Sequence, residues 1–242
     1  DRLEALQITP DDLKHMQDIA DRMYYPDDRG LGIFPQHDAF LDKDLRPASD
    51  IPAEERPIYM HWSWDRILRS GYIKQPDVLM FLYLYNSSFD TETKRINYDF
   101  YQPRTIHESS LSPAIHSILA AELDKMDEAV SFFGYATRLD LDNYNRNTRE
   151  GLHITSIAMA WANIVYGFAG LRSDDTMLRF APRLPERWKR LTFSVMYRGR
   201  VIAISMGADK TVFQLTQGDK LAVQVYGETV ELTDEPISVQ RQ

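Results

Sequence analysis

Apolar residues recur along this chain with two different periods, and the change from one to the other divides it. Up to about Leu178 the spacing is helical. In "TPDDLKHMQDIADRMYY", Thr9 stands where a helix cap belongs, Pro10 takes the first helical position, and Asp11 and Asp12 place acids at the positive end of the dipole. "QPDVLMFLYLYNSS" repeats the arrangement, with Pro76 near its start. In "SPAIHSILAAELDKM", Ser112 reads as the cap and Pro113 as the first helical residue, with Ile115, Ile118 and Leu119 following at helical intervals. "MDEAVSFFGYATRLDL" predicts another helix. "GLHITSIAMAWANIVYGFAGL" is apolar almost all round and predicts a buried inner one.

After "RFAPRLPERWKRL" the period falls to two. Phe193, Val195 and Tyr197 alternate with Ser194, Met196 and Arg198, and the chain then reads as short strands separated by turns at "GADK", "QGDK" and "YGET". The expected fold is mainly α with a small antiparallel β domain appended. The two parts are expected at residues 1–176 and 177–242, with the change falling between Ser173 and Pro185. No repeat is visible in the sequence, although helices joined by alternately long and short loops are what a layered α/α barrel shows.

One stretch obeys neither period. Residues 26–74, from "PDDRGLG" to "SGYIK", are rich in Pro, Asp and aromatics. Loops of this length in compact domains are either functional or disordered, and the aromatics argue against disorder, so this segment is a candidate active-site wall.

Composition narrows the function. Of 242 residues, 43% are hydrophobic, enough for a substantial core. The formal charge of −8, with Lys and Arg scattered among more numerous acids, argues against a nucleic-acid partner. With no cysteine there is neither a disulfide framework nor a thiolate metal site. No stretch approaches the length of a membrane span, the first residues lack the pattern of a secretion signal, and a cytoplasmic enzyme is the expectation. The chain opens on Asp in helical material, which suggests a processed or truncated part of something longer.

The candidate chemistry gathers at helix starts. In "YQPRTIHESSLSPAIHSILAAEL", Ser109 and Ser110 lie just outside a helix N-terminus, where free N–H groups and a positive dipole end favour an anion, phosphate above all. The same serines would also serve as a plain turn and cap. "HESSL" begins like a zinc-binding helix motif but has Leu111 where the second His must fall, and His107 and His116 are too far apart in sequence to be helical neighbours. No metal or other cofactor is expected. Lys74 and Gln75 precede a helix, where an ammonium and an amide suit sugar hydroxyls as well as a solvated loop end. Trp62 and Trp64 are either platforms for sugar faces or plugs of a core. His153 follows Gly151 at the start of the apolar helix and is either a core residue or a third member of an anion pocket.

Four stretches carry a family resemblance: "IKQPDVLMFLYLY", "PRTIHESSLSPAIHSILAAEL", "RLDLDNYNRNTREGLHITSIAMAWANIVYGFAGLR" and "FAPRLPERWKRLTFSVMYRGR". In order, from about Lys74 to Arg200, they resemble the C-terminal part of glycoside hydrolase family 65, the inverting disaccharide phosphorylases, and "RPIYMHWSWDRILRSGYIKQ" looks most like its maltose-cleaving branch. The resemblance implies the C-terminal half of an (α/α)6 catalytic barrel followed by the β domain. It implies phosphate-binding roles for Ser109, Ser110 and His153 and sugar-binding roles for Lys74 and Gln75. It also implies inorganic phosphate as co-substrate with a disaccharide, an N-terminal part of the same enzyme as partner, and a homodimer. The family's general acid is a Glu in a Gly-Pro-Asp-Glu motif upstream of the Lys-Gln pair. That motif is absent here, so no catalytic acid is expected in this chain. Pro76 stands where the family usually has Ala, and Met60 where a polar residue is more usual. Glu108 is read as structural, bonding to backbone or sugar hydroxyls, with a role as base left open.

Overall fold

The computed structural model describes residues 2–174 and 176–241. A single helical turn, α1 (Arg2–Ala5), precedes α2 (Pro10–Asp21), whose start follows the predicted chemistry. The Thr9 hydroxyl accepts the Asp12 N–H at 3.2 Å while the Asp12 carboxylate accepts the Thr9 N–H at 2.9 Å, so two end donors are satisfied reciprocally. No residue of α2 is buried, and Leu13, Met16 and Ile19 lie exposed along it.

The segment 26–74 holds two short helices, α3 (Ile58–His61) and α4 (Trp64–Arg69), the second started by Ser63. It has a small core of its own, in which Ala48, Ile51 and Ile58 meet Ile106, with Trp62, Ile67 and Tyr72 against them. The two tryptophans part company here. Trp62 is half-buried, donates to Glu55 and carries the Arg66 guanidinium over its ring at 3.6 Å, whereas Trp64 is 74% exposed.

The helices α5 (Asp77–Leu84), α6 (Thr91–Tyr101), α7 (Ser112–Glu122), α8 (Met126–Asp142) and α9 (Ile154–Ala162) follow, the last continuing as π-helical turns over Asn163–Phe168. Every residue of α7 from Ser112 to Ala121 is buried, which suits a run with no formal charge. The helix begins one residue earlier than expected. Leu111 is its cap, and the Ser112 hydroxyl instead meets His107 Nδ1 at 3.2 Å.

The expectation of a wholly buried inner helix over "GLHITSIAMAWANIVYGFAGL" is corrected. Ile154, Ile157 and Trp161 are more than half exposed, and burial becomes nearly continuous only from Ala162 onward. The apolar stripe exists, but none of the described elements covers it.

The period-two region forms two sheets. The first orders β2 (Leu191–Tyr197), β3 (Arg200–Met206), β4 (Lys210–Gln217) and β7 (Ile237–Gln240), all antiparallel. The second places β5 (Leu221–Val225) between β1 (Arg179–Phe180) and β6 (Glu228–Leu232). β1 runs parallel to β5, an exception to the antiparallel expectation that the long excursion between them permits. The β2–β3 turn takes left-handed conformations at Arg198 (φ 48°) and Gly199 (φ 77°), a geometry whose twist matches paired strands. Val165 and Ala169, at the end of the last helix, belong to the same apolar core as Ile202, Phe213 and Val223 of the sheets.

A half-buried carboxylate ties these layers together. Glu122, at the end of α7, accepts from Lys94 Nζ at 2.8 Å, Asn86 Nδ2 at 2.9 Å and Arg172 Nη2 at 2.6 Å. Burial pushes the Glu122 carboxyl up, but the charges of Arg172 and Lys94 and the bonds from Lys94 and Asn86 outweigh it and hold it at about 2. A depressed carboxyl stabilises the fold above its ordinary value of 4.5, and that contribution is lost as pH falls toward 2. Glu122→Gln is expected to cost about 3 kcal/mol at neutral pH, since it leaves two buried cations without their counter-charge. It should also flatten the acid dependence of stability, and chemical unfolding followed from neutral to acid pH measures both effects.

Candidate functional site

The predicted residues sit before the starts of three helices: Lys74 and Gln75 before α5, Glu108 to Ser110 before α7, and His153 before α9. The first two starts are brought together by backbone. Ile73 donates to the Arg104 carbonyl and Ile106 donates to the Ile73 carbonyl, each at 3.0 Å, so the two approaches run side by side as a short parallel bridge. One hydrogen bond then joins the side chains. Ser109 Oγ donates to Gln75 Oε1 at 2.9 Å and itself accepts the Leu111 N–H at 3.2 Å. Ser109 is buried and Ser110, beside it, is half-exposed. Lys74 is exposed, with its ammonium 5.5 Å from the centre of the Tyr59 ring.

Glu108 points to the long segment. Its two oxygens accept the Ile58 N–H at 2.9 and 3.0 Å, which pins the start of α3 to the turn before α7. Burial raises this carboxyl above its ordinary value, against the opposing pull of the Ile58 N–H, Arg56 and Lys74.

The turn itself is held from behind by two imidazoles. His107 adopts a left-handed backbone (φ 55°), which reverses the chain and lays its ring 4.7 Å from that of His116, so residues too distant in sequence to share a helix face meet in space. His116 Nδ1 donates to the Ser112 carbonyl at 2.8 Å. Burial lowers both rings, His107 helped by His116 and Arg56, and His116 falls to about 4, so both are neutral at pH 7. Among the described residues, no group of three or more His, Asp or Glu is placed to hold a metal ion.

His153 is held elsewhere. Its N–H donates to Asp140 Oδ2 at 2.8 Å, its Nδ1 lies 2.6 Å from Asp140 Oδ1, and Asn147 Nδ2 approaches its Nε2 at 3.2 Å. Among the described residues no hydrogen bond links it to Ser109 or Ser110. A cavity of about 680 Å³ opens beside the turn, lined by His107, Glu108, Arg56, Tyr135 and Tyr144 among others, and none of Lys74, Gln75, Ser109, Ser110 or His153 lines it.

Residues 1–162 match the glycosyl hydrolase family 65 central catalytic domain, and residues 171–232 match the glycosyl hydrolase family 65 C-terminal domain. The chain belongs to glycoside hydrolase family 65. It is 48% identical over 227 residues to a maltose phosphorylase from Bacillus subtilis (strain 168), covering 94% of this chain and 30% of that protein. It is 38% identical over 227 residues to an alpha,alpha-trehalose phosphorylase from Thermoanaerobacter brockii, covering 94% of this chain and 29% of that protein. A solved structure titled as a putative kojibiose phosphorylase from human microbiome superposes with a TM-score of 0.88 at 42% identity, covering 99% of this chain and 32% of that one. The chain therefore spans about a third of the length of these family 65 relatives.

Reading the sequence did not single out Asp140 or Asn147 as partners of His153, nor Ile58 as the partner of Glu108. The Asp140 pairing had a faint local signal, an acid near a helix end followed by the Asn-rich turn "NYNRN". Glu108→Ala is expected to cost about 1–3 kcal/mol of stability by stranding the Ile58 N–H. Glu108→Gln, which keeps one acceptor oxygen, should cost less. Thermal unfolding of the two variants compares them.

Proposed function

We propose that the family 65 protein carrying this chain performs inverting phosphorolysis of an α-glucosidic disaccharide, with maltose and phosphate giving β-glucose 1-phosphate and glucose. The observation that carries this reading is the Ser109–Gln75 hydrogen bond. It joins a position matched to phosphate binding with one matched to sugar binding, at two adjoining helix starts.

The chemistry needs little more from this half of the site. Phosphate attacks the anomeric carbon from the face opposite the glycosidic bond while a carboxylic acid protonates the leaving oxygen, so the carbon–oxygen bond breaks with inversion and the second glucose departs with the proton. An inverting hydrolase uses a second carboxylate to activate water, but phosphate is already anionic and has only to be held in line. Hydroxyl donors at a helix start suit that task. Ser109, Ser110 and His153 are assigned to phosphate and Lys74 and Gln75 to the sugar, with the general acid supplied from outside this chain. Glu108 is occupied by the Ile58 N–H, which disfavours it as the base of a hydrolase.

The exposed stripes of α2 and α9 fit a half-barrel whose other half, the N-terminal part of the enzyme, covers them, here read as an (α/α)6 barrel in a cytoplasmic homodimer. Maltose is preferred to trehalose as substrate because the maltose phosphorylase is more similar than the trehalose phosphorylase compared above. The test is product analysis of the full-length enzyme on maltose, with and without phosphate. β-Glucose 1-phosphate formed only with phosphate is the expected result. Glucose released regardless of phosphate would overturn it, and turnover confined to another disaccharide would replace maltose while leaving phosphorolysis in place.

A further inference from the structure

Asp140 makes two bonds to one residue. It lies in the last turn of α8, after which the chain turns at Asn143 (φ 47°), runs through a short 3-10 turn, and turns again at Gly151 (φ 108°) to bring His153 back beside it. One carboxylate oxygen accepts the His153 backbone N–H at 2.8 Å and the other lies 2.6 Å from Nδ1. The Asp140 side chain is 12% exposed and the His153 side chain 23% exposed, so the pair is partly shielded from water. His153 stands at the N-cap of α9, yet its side chain makes no capping bond there. The imidazole is thus not spent on its own helix.

A carboxylate on Nδ1 fixes the ring. The Nδ1 proton is held by Asp140, the ring cannot rotate about its attachment without breaking that bond, and Nε2 is the nitrogen left to act. In the neutral ring Nε2 is an acceptor, which suits the Asn147 amide now 3.2 Å away but not an oxygen of phosphate. To donate to phosphate, Nε2 must carry a proton as well.

We propose that Asp140 is a positioning residue for phosphate: it holds His153 by backbone and ring so that Nε2 meets the anion, with the Asn147 amide occupying that nitrogen until phosphate replaces it. This rests on the phosphorylase reading above. The competing role is a simple clamp on residues 143–153, and steady-state kinetics of the full-length enzyme separates the two. Asp140→Asn retains an acceptor for the backbone N–H but loses the charge. It is expected to raise KM for phosphate about tenfold or more, the size of a lost charged hydrogen bond, with KM for the disaccharide unchanged. Equal rises in both KM values, or a loss of thermal stability with phosphate KM unchanged, would overturn the proposal and leave a clamp. If the Asn variant does not fold, Asp140→Glu decides in the same way, since it keeps the charge but displaces it: a shift confined to phosphate KM upholds positioning, and a shift shared by both substrates overturns it. His153→Ala is the control. A raised phosphate KM there beside an unmoved one in Asp140→Asn defeats only the role of Asp140, whereas an unmoved value in His153→Ala defeats the phosphate site itself.

Discussion

A helix buried along its length cannot send its end groups to water, and α7 is buried from Ser112 to Ala121. Polar groups gather at both its ends. At the C-terminal end the Glu122 carboxylate gathers Lys94, Asn86 and Arg172, and through Arg172 it ties the helix to the connection leading into the sheets. At the N-terminal end the chain reverses at His107, the rings of His107 and His116 close behind it, and Ser109 takes the Leu111 N–H. The turn that results holds Ser109 and Ser110 side by side and sends Glu108 back toward the Ile58 N–H. A positive dipole end with hydroxyls arranged around it is also what the phosphate site proposed above requires of this turn.

Side-chain partners then set what each predicted residue is free to do. Glu108 is turned away toward the Ile58 N–H and anchors the long segment. Gln75 is turned toward Ser109. His153 is turned by Asp140, which holds Nδ1, while the Asn147 amide lies against Nε2. Lys74 keeps an exposed ammonium near the Tyr59 ring. The long segment is thus a wall with its own small core, fastened to the turn before α7 through Glu108 and Ile106.

Local chemistry was legible in the sequence and distant pairing was not. The Thr9 cap, the α8 helix and the strand alternation after Leu191 depend on neighbours a few residues away, and each is visible in the pattern of residue types. Ser109 and Gln75 are 34 residues apart and Glu108 and Ile58 are 50 apart, distances over which no periodicity speaks. His107 and His116 meet only because a non-glycine residue takes a left-handed conformation, which a propensity argument passes over. The α9 stripe erred in the opposite direction. The apolar spacing is real, but none of the described elements lies over Ile154, Ile157 and Trp161, which face outward here.

The proposal that the starts of α7 and α9 share one phosphate is tested most directly by the electron density of phosphate bound to the full-length enzyme. The expected result is one anion within hydrogen-bond reach of Ser109 or Ser110 and of His153 Nε2, with Asn147 displaced from that nitrogen. An anion bound away from these side chains, or a bound phosphate that leaves the Asn147 contact intact, would contradict it.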